Sequence, residues 1–143
     1  MEQKTILVTG IGGNVGQGIL RNIIESKYPI RLIGTNITQF SAGNHFVDKF
    51  YKVPFGFDSE FIPTIKRIVE NEKVDLIIPS TDFEAYYLSI NQIEFQCKIA
   101  VSGPIATEAY LDKYLTWKLH SKHKIPFSCA HAAVSQWSVR RFG

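Results

Sequence analysis

The segment Val8 to Gly18, VTGIGGNVGQG, carries five glycines in nine positions directly behind the apolar run Ile6-Leu7-Val8. So bare a backbone suits a chain that must turn with positive φ, or that lets a second backbone or a ligand approach with no Cβ in the way. The flanks fix the frame. Thr5 to Thr9 is a short run rich in β-branched residues, and Val15, Ile19, Leu20, Ile23 and Ile24 recur at helical spacing. The glycines are therefore predicted to join a strand to a helix. At such a junction the first N–H groups of the helix lack partners and the helix dipole is positive, the conditions under which anions bind. Asn14 is placed to cap this helix, with Gln17 three residues on to return the bond. The spacing departs from the dinucleotide fingerprint G-x-G-x-x-G, because from Gly10 and Gly12 the third position is Val15; Gly10, Gly13 and Gly16 give G-x-x-G-x-x-G instead. Two readings stand together: a loop facing a ligand, or a turn whose glycines only let helix and sheet pack closely.

The rest of the chain repeats the strand-then-helix pattern. Ile30 to Asn36 reads as a second strand and Asp48 to Pro54 as a short third. Asp58 to Glu72 reads as a helix with Ile62, Ile65, Ile68 and Val69 as its stripe and Pro63 near its first turn. Asp75 to Ser80 reads as a buried strand, Thr81 to Gln92 as a helix and Lys98 to Ser102 as a further strand, before Pro104 opens a helical end. Such alternation predicts an α/β fold: a doubly wound parallel sheet with right-handed crossovers and helices on both faces. Of the 143 residues 45% are hydrophobic and 20% charged, enough for one globular core. No apolar run reaches the roughly 18 residues of a membrane span and no leader is apparent, so a cytoplasmic location is expected. Cys97 and Cys129 are too few for a disulfide framework.

Charge is divided unevenly. Residues 1–112 hold ten Lys/Arg against thirteen Asp/Glu, whereas residues 113–143 hold six basic residues and no acidic one. Lys113, Lys118, Lys122 and Lys124 are interleaved with Tyr114, Leu115, Trp117 and Leu119, as on the solvated face of an amphipathic helix, and a nucleic-acid partner is not expected.

In a doubly wound sheet ligands sit outside the carboxyl ends of the strands. Those ends carry Gly10 to Asn14, Thr35 with Asn36, Ser80 to Glu84, and Ser102 with Gly103. Asp82 and Glu84 supply the carboxylates. Thr81-x-x-Glu84 also reads as a capping box, with Asp82 at a positive helix end, so Glu84 is a cap, a ligand contact or both. Tyr114-x-x-x-Lys118, with Ser102 upstream, matches the catalytic residues of short-chain dehydrogenases, and a small NAD(P)-binding dehydrogenase or epimerase is the alternative function. Against it, so short a motif arises readily by chance, and Asn36 stands where an NAD enzyme places an acid for the ribose. His120 and His123 sit at i, i+3 with no third ligand apparent, and no metal site is expected.

The ordered segments ILVTGIGGNVGQGIL, IGTNITQFSAGNHFVDKFYKVP, VDLIIPSTDFEAYYLS, VSGP and LDKYLTWKLHSKHKIPFS resemble the amino-terminal domain of ATP-grasp ligases. The nearest kinds are short proteins like the carbamoyl-phosphate synthase large subunit and the pyrrolysine-pathway ligase. The resemblance implies a Rossmann-like pre-ATP-grasp domain over residues 1–111, a linker helix over 112–129, and an unrelated or truncated tail over 130–143. It implies a family that joins a carboxylate to an amine through ATP and magnesium. Gly10, Gly12, Gly13, Asn14, Asp82 and Glu84 would face a small carboxylate or amine substrate. Lys113 would reach the nucleotide phosphates, although a plain surface lysine fits the same position. Many members have Asp where this chain has Asn36. The subdomains that hold adenine, triphosphate and magnesium are expected to be absent, since no Asp or Glu follows Asp112, and the chain alone is expected to be inactive.

Overall fold

The computed structural model describes residues 3–126. Five strands, β1 (Lys4–Val8), β2 (Ile30–Asn36), β3 (Lys49–Lys52), β4 (Leu76–Ile78) and β5 (Lys98–Ile99), form one sheet in the order β3-β2-β1-β4-β5. Every pairing is parallel, with Leu7 opposite Ile33 on one side and Ile77 on the other. Helices α1 (Asn14–Glu25), α2 (Phe61–Glu72), α3 (Asp82–Ile90), α4 (Pro104–Leu111) and α5 (Lys113–Lys122) complete the described chain.

Strand side chains alternate between faces, and this divides the core in two. Ile6, Val8 and Leu32 pack with Ile11 and with Leu20 of α1. Leu7, Ile33 and Ile77 pack on the other face with Phe61, Ile65, Ile68 and Val69 of α2 and Leu88 of α3. Helices thus cover both faces, as the alternating sequence implies. The stripe of α1 is narrower than its spacing suggests: Leu20 is buried and Ile19 and Ile23 pack partly, while Val15 and Ile24 are exposed.

Local chemistry moves several boundaries. Gly13, not Asn14, caps α1; Asn14 is already its first residue, and the Gln17 amide donates to Gly12 O at 3.2 Å. Helix α2 starts at Phe61 because Asp58 closes a turn first, accepting from Glu60 N on its carboxylate and from Phe61 N on its carbonyl. Pro79, which has no N–H to give the ladder, follows the last residue of β4. The helical end is two helices broken at Asp112, whose side chain caps α5 through Tyr114 N and Leu115 N. The tail over 130–143 and Cys129 lie outside the described residues.

One ion cluster, built on a buried carboxylate with partly exposed cations, was not expected from the sequence. Glu72, the last residue of α2, is 5% exposed at its side chain and accepts from Lys49 at 2.6 Å and from the Tyr51 hydroxyl and the Arg31 guanidinium. It ties α2 to β2 and β3. These bonds, the Lys49 one first, hold its carboxyl down to about 2.

Candidate functional site

From β1 the chain runs outward through β2 to β3, then returns to place β4 on the opposite side of β1. The connections after β1 and β4 therefore diverge and leave a crevice at the carboxyl ends of these two strands. Gly10 turns the chain over it with φ of 64°, and its carbonyl accepts from the Ser80 hydroxyl at 3.1 Å. A Cβ on Gly10 would lie 2.6 Å from Ser80 Oγ and 2.9 Å from Glu84 Oε2. Only glycine fits there.

Glu84 lies beneath that turn. Thr81 caps α3 by accepting from Glu84 N at 3.3 Å, but the carboxylate does not complete a capping box. Instead Glu84 Oε2 accepts from Thr81 Oγ1 at 2.8 Å and from Thr9 Oγ1 at 2.9 Å, joining α3 to the end of β1. Its other oxygen has no hydrogen-bond partner among the described residues. With the residue only 5% exposed, burial pushes its carboxyl above the ordinary value, and the two threonine hydroxyls oppose that shift. Its place beside the crevice makes Glu84 a candidate site residue.

A cleft of about 330 Å³ opens here, bordered by Gly10, Gly13, Asn14 and Val15, by Ser80, Thr81, Phe83 and Glu84, and by Asn36 and Ile37 at the end of β2. Phe55, Gly56 and Phe57, from the loop between β3 and α2, close its outer side. The first N–H groups of α1, at Asn14 and Val15, have no helical acceptor and border the same space. Of the residues expected at the site, the structure thus gathers Gly10, Gly13, Asn14 and Glu84. Gly12 does not border the cleft and packs its backbone on the Asn36 side chain. Asp82 points elsewhere, with its carboxylate 4.0 Å from Lys113 Nζ, both side chains largely exposed. Sequence reasoning missed Val15, Ile37, Phe55 and Phe57, and held Phe83 only as part of the stretch Ser80 to Glu84. The available signal was PFGF, Pro54 to Phe57: two phenylalanines in a stretch whose Pro and Gly mark a loop rather than a strand or helix.

The residues of the dehydrogenase alternative do not meet at the glycine turn. Tyr114 stacks on Trp117 and lies under Lys118 on α5, and Ser102 borders a separate depression with Asp82 and Tyr110. Among the described residues no group of three His, Cys, Asp or Glu side chains is placed to hold a metal ion. A larger cavity, about 860 Å³, lies at the opposite edge of the sheet, along the amino ends of β1, β4 and β5. Lys4 and Asp75 at its border are paired with each other at 3.1 Å. No helix of the sheet's crossovers starts there, so the smaller cleft is the candidate site.

Glu84→Gln keeps an oxygen for the two threonine hydroxyls and removes a buried charge. It is expected to leave the protein as stable as the wild type or about 1 kcal/mol more stable at pH 7. The sign follows from the raised carboxyl: below the ordinary value of 4.5 both states are protonated and the variant gains nothing, and the gain grows as pH rises above it. Urea unfolding across pH 4 to 8, taken as an approximate range, checks this; a variant losing more than about 1 kcal/mol would make Glu84 a structural strut.

Residues 6–101 match the family described as PylC-like, N-terminal domain. The chain belongs to that family. Among solved structures, N5-carboxyaminoimidazole synthetase from Staphylococcus aureus, complexed with ADP, is similar over 85% of this chain and 30% of its own, with 15% identity and a TM-score of 0.64. N5-carboxyaminoimidazole ribonucleotide synthetase from Thermotoga maritima is similar over 86% and 32%, with 22% identity and a TM-score of 0.63. The biotin carboxylase domain of 2-oxoglutarate carboxylase from Hydrogenobacter thermophilus, in complex with MgADP and bicarbonate, is similar over 86% and 28%, with 14% identity and a TM-score of 0.61. No curated protein matches the sequence. These structures are ATP-grasp enzymes, and what they share with this PylC-like domain is the pre-ATP-grasp fold. The chain spans about a third of their length. No helix among the described residues is long and apolar enough to cross a membrane.

Proposed function

We propose that this PylC-like domain is the substrate-side domain of an ATP-dependent carboxylate–amine ligase, of the carbamoyl-phosphate synthase-like kind, acting in the cytoplasm. Its cleft takes the small carboxylate or amine substrate. The observation that carries the reading is the meeting, at the switch point of the sheet, of the glycine turn, the open N–H end of α1 and a buried glutamate with one unused oxygen. An amine finds an acceptor in Glu84, and a carboxylate finds donors at Asn14 and Val15. Family membership and the shared fold support the same assignment.

ATP and magnesium belong to the proposed reaction, as the ADP of the similar structures suggests. The described residues do not make up a site for them: Lys113 is the one phosphate contact the sequence suggests, it is shared with Asp82, and no metal-ligand group is present among these residues. The share in the reaction that the described residues support is to hold and orient the substrate.

Titrating the isotopically labelled chain with small carboxylates and amines is expected to shift the amides of residues 10–15 and 80–84 together. NADH is expected to give no saturable change in nicotinamide fluorescence. Shifts gathered instead along residues 28–30 and 96–98, or tight nicotinamide binding, would overturn the reading.

A further inference from the structure

The cleft's outer wall is made of rings. Phe55 and Phe57 stack with centroids 5.2 Å apart and planes 9° from parallel, and Phe83 meets Phe57 edge-on at 5.9 Å. Their exposures are 53%, 51% and 51%. A single exposed phenylalanine is ordinary on a protein surface, but three on the rim of one cleft, with Phe57 touching both of the others, form an apolar patch that marks binding. The wall is also held in place. A Cβ on Gly56 would be 3.1 Å from Glu84 N, so the loop carrying two of the rings lies directly on the first turn of α3. Asp58 N donates to Phe55 O at 2.9 Å and closes the same loop.

We infer that Phe55, Phe57 and Phe83 are specificity-determining residues and that the substrate carries an apolar ring, held on this wall while its polar head lies against Glu84 and the N–H end of α1. This rests on the proposed substrate-side role of the cleft. No Lys, Arg or His borders the cleft, and Glu84 is its one ionisable group, so a polyanionic head such as a phosphate finds no cationic side chain there. The size agrees: about 330 Å³ lies at the lower end of small-molecule sites and suits one ring with a short polar head. A ring laid on three rings gains from burial and from offset or edge-on contact.

The test compares matched probes by amide-shift titration of the whole chain: phenylacetate against acetate, and benzylamine against methylamine. At least one ring-bearing probe is expected to bind about tenfold more tightly than its ringless partner, shifting residues 10–15 together with Phe55, Phe57 and Phe83. Phe57→Ala is expected to bring that ratio close to one and Phe57→Tyr to preserve it, with the spectrum of each variant reporting its fold. Equal binding of ring-bearing and ringless probes at residues 10–15 would overturn the wall and leave the substrate-side reading standing. Ring-dependent shifts confined to the phenylalanines, or shifts there that track protein concentration and so report contact between copies, would also overturn it. No shift from any probe at about 10 mM, an affinity weaker than roughly −3 kcal/mol, would overturn both.

Discussion

Replacing Glu72 with alanine is expected to lower the stability at pH 7 by about 1 to 2 kcal/mol, and the thermal midpoint by about 5 °C, although this residue is far from the candidate site. The cost arises from what the glutamate leaves behind. Arg31, Lys49 and Tyr51 all converge on its buried carboxylate, and truncation leaves them without that partner while freeing the end of α2 from the sheet edge. Glu72→Gln, which keeps the volume and one acceptor, is expected to lose less. The pH dependence has a definite sign. The carboxyl is held at about 2 in the folded protein against an ordinary 4.5, so its stabilising contribution is complete above 4.5 and is lost as pH falls toward 2. Urea unfolding of wild type and Glu72→Gln at a series of pH values should therefore show a gap that closes on acidification. A gap that stays constant would mean that the ion pairs contribute nothing.

Gly16→Ala and Gly18→Ala are expected to change stability in opposite directions, although the two positions share one helix and lie two residues apart. Alanine in a helix is worth about 1 kcal/mol more than glycine. At Gly18 nothing lies within 4 Å of the added Cβ, and that gain should be realised in full. At Gly16 the added atom would sit 2.7 Å from Gly10 O and 2.8 Å from Ile11 Cα, both backbone and both part of the turn at the cleft. Helix α1 would have to lift from the turn, at a cost of about 2 to 3 kcal/mol after the helix gain. Chemical denaturation of both variants checks the pair; a stable Gly16→Ala would show that the helix does not bear on the turn.

Two of the five glycines thus answer different needs. Gly16 serves packing and Gly10 serves the turn over Glu84, while Gly13 borders the cleft with ordinary room for a side chain. Sequence spacing held both readings open because a glycine is equally silent in either role. The same limit explains Asp82 and Glu84. They stand two residues apart on one helix turn, and local propensity treats both as cap residues. One pairs with Lys113 at the surface and the other crosses to Thr9, 75 positions away.

The sequence by itself determined the architecture. Side-chain period is a local property: alternation in the strands and helical spacing in α1 and α2 state which faces must be buried, and strands separated by helices admit essentially a parallel, right-handed, two-faced solution. The order β3-β2-β1-β4-β5 then places the crevice between β1 and β4. Tertiary structure alone decided what fills that crevice. The meeting of Phe83 with the Phe55–Phe57 loop, the reach of Glu84 to Thr9 and the ion cluster on Glu72 all depend on side chains from separate elements arriving within a few ångströms of one another. Those meetings are fixed by crossover geometry and strand order, and no pattern within a stretch of a dozen residues encodes them.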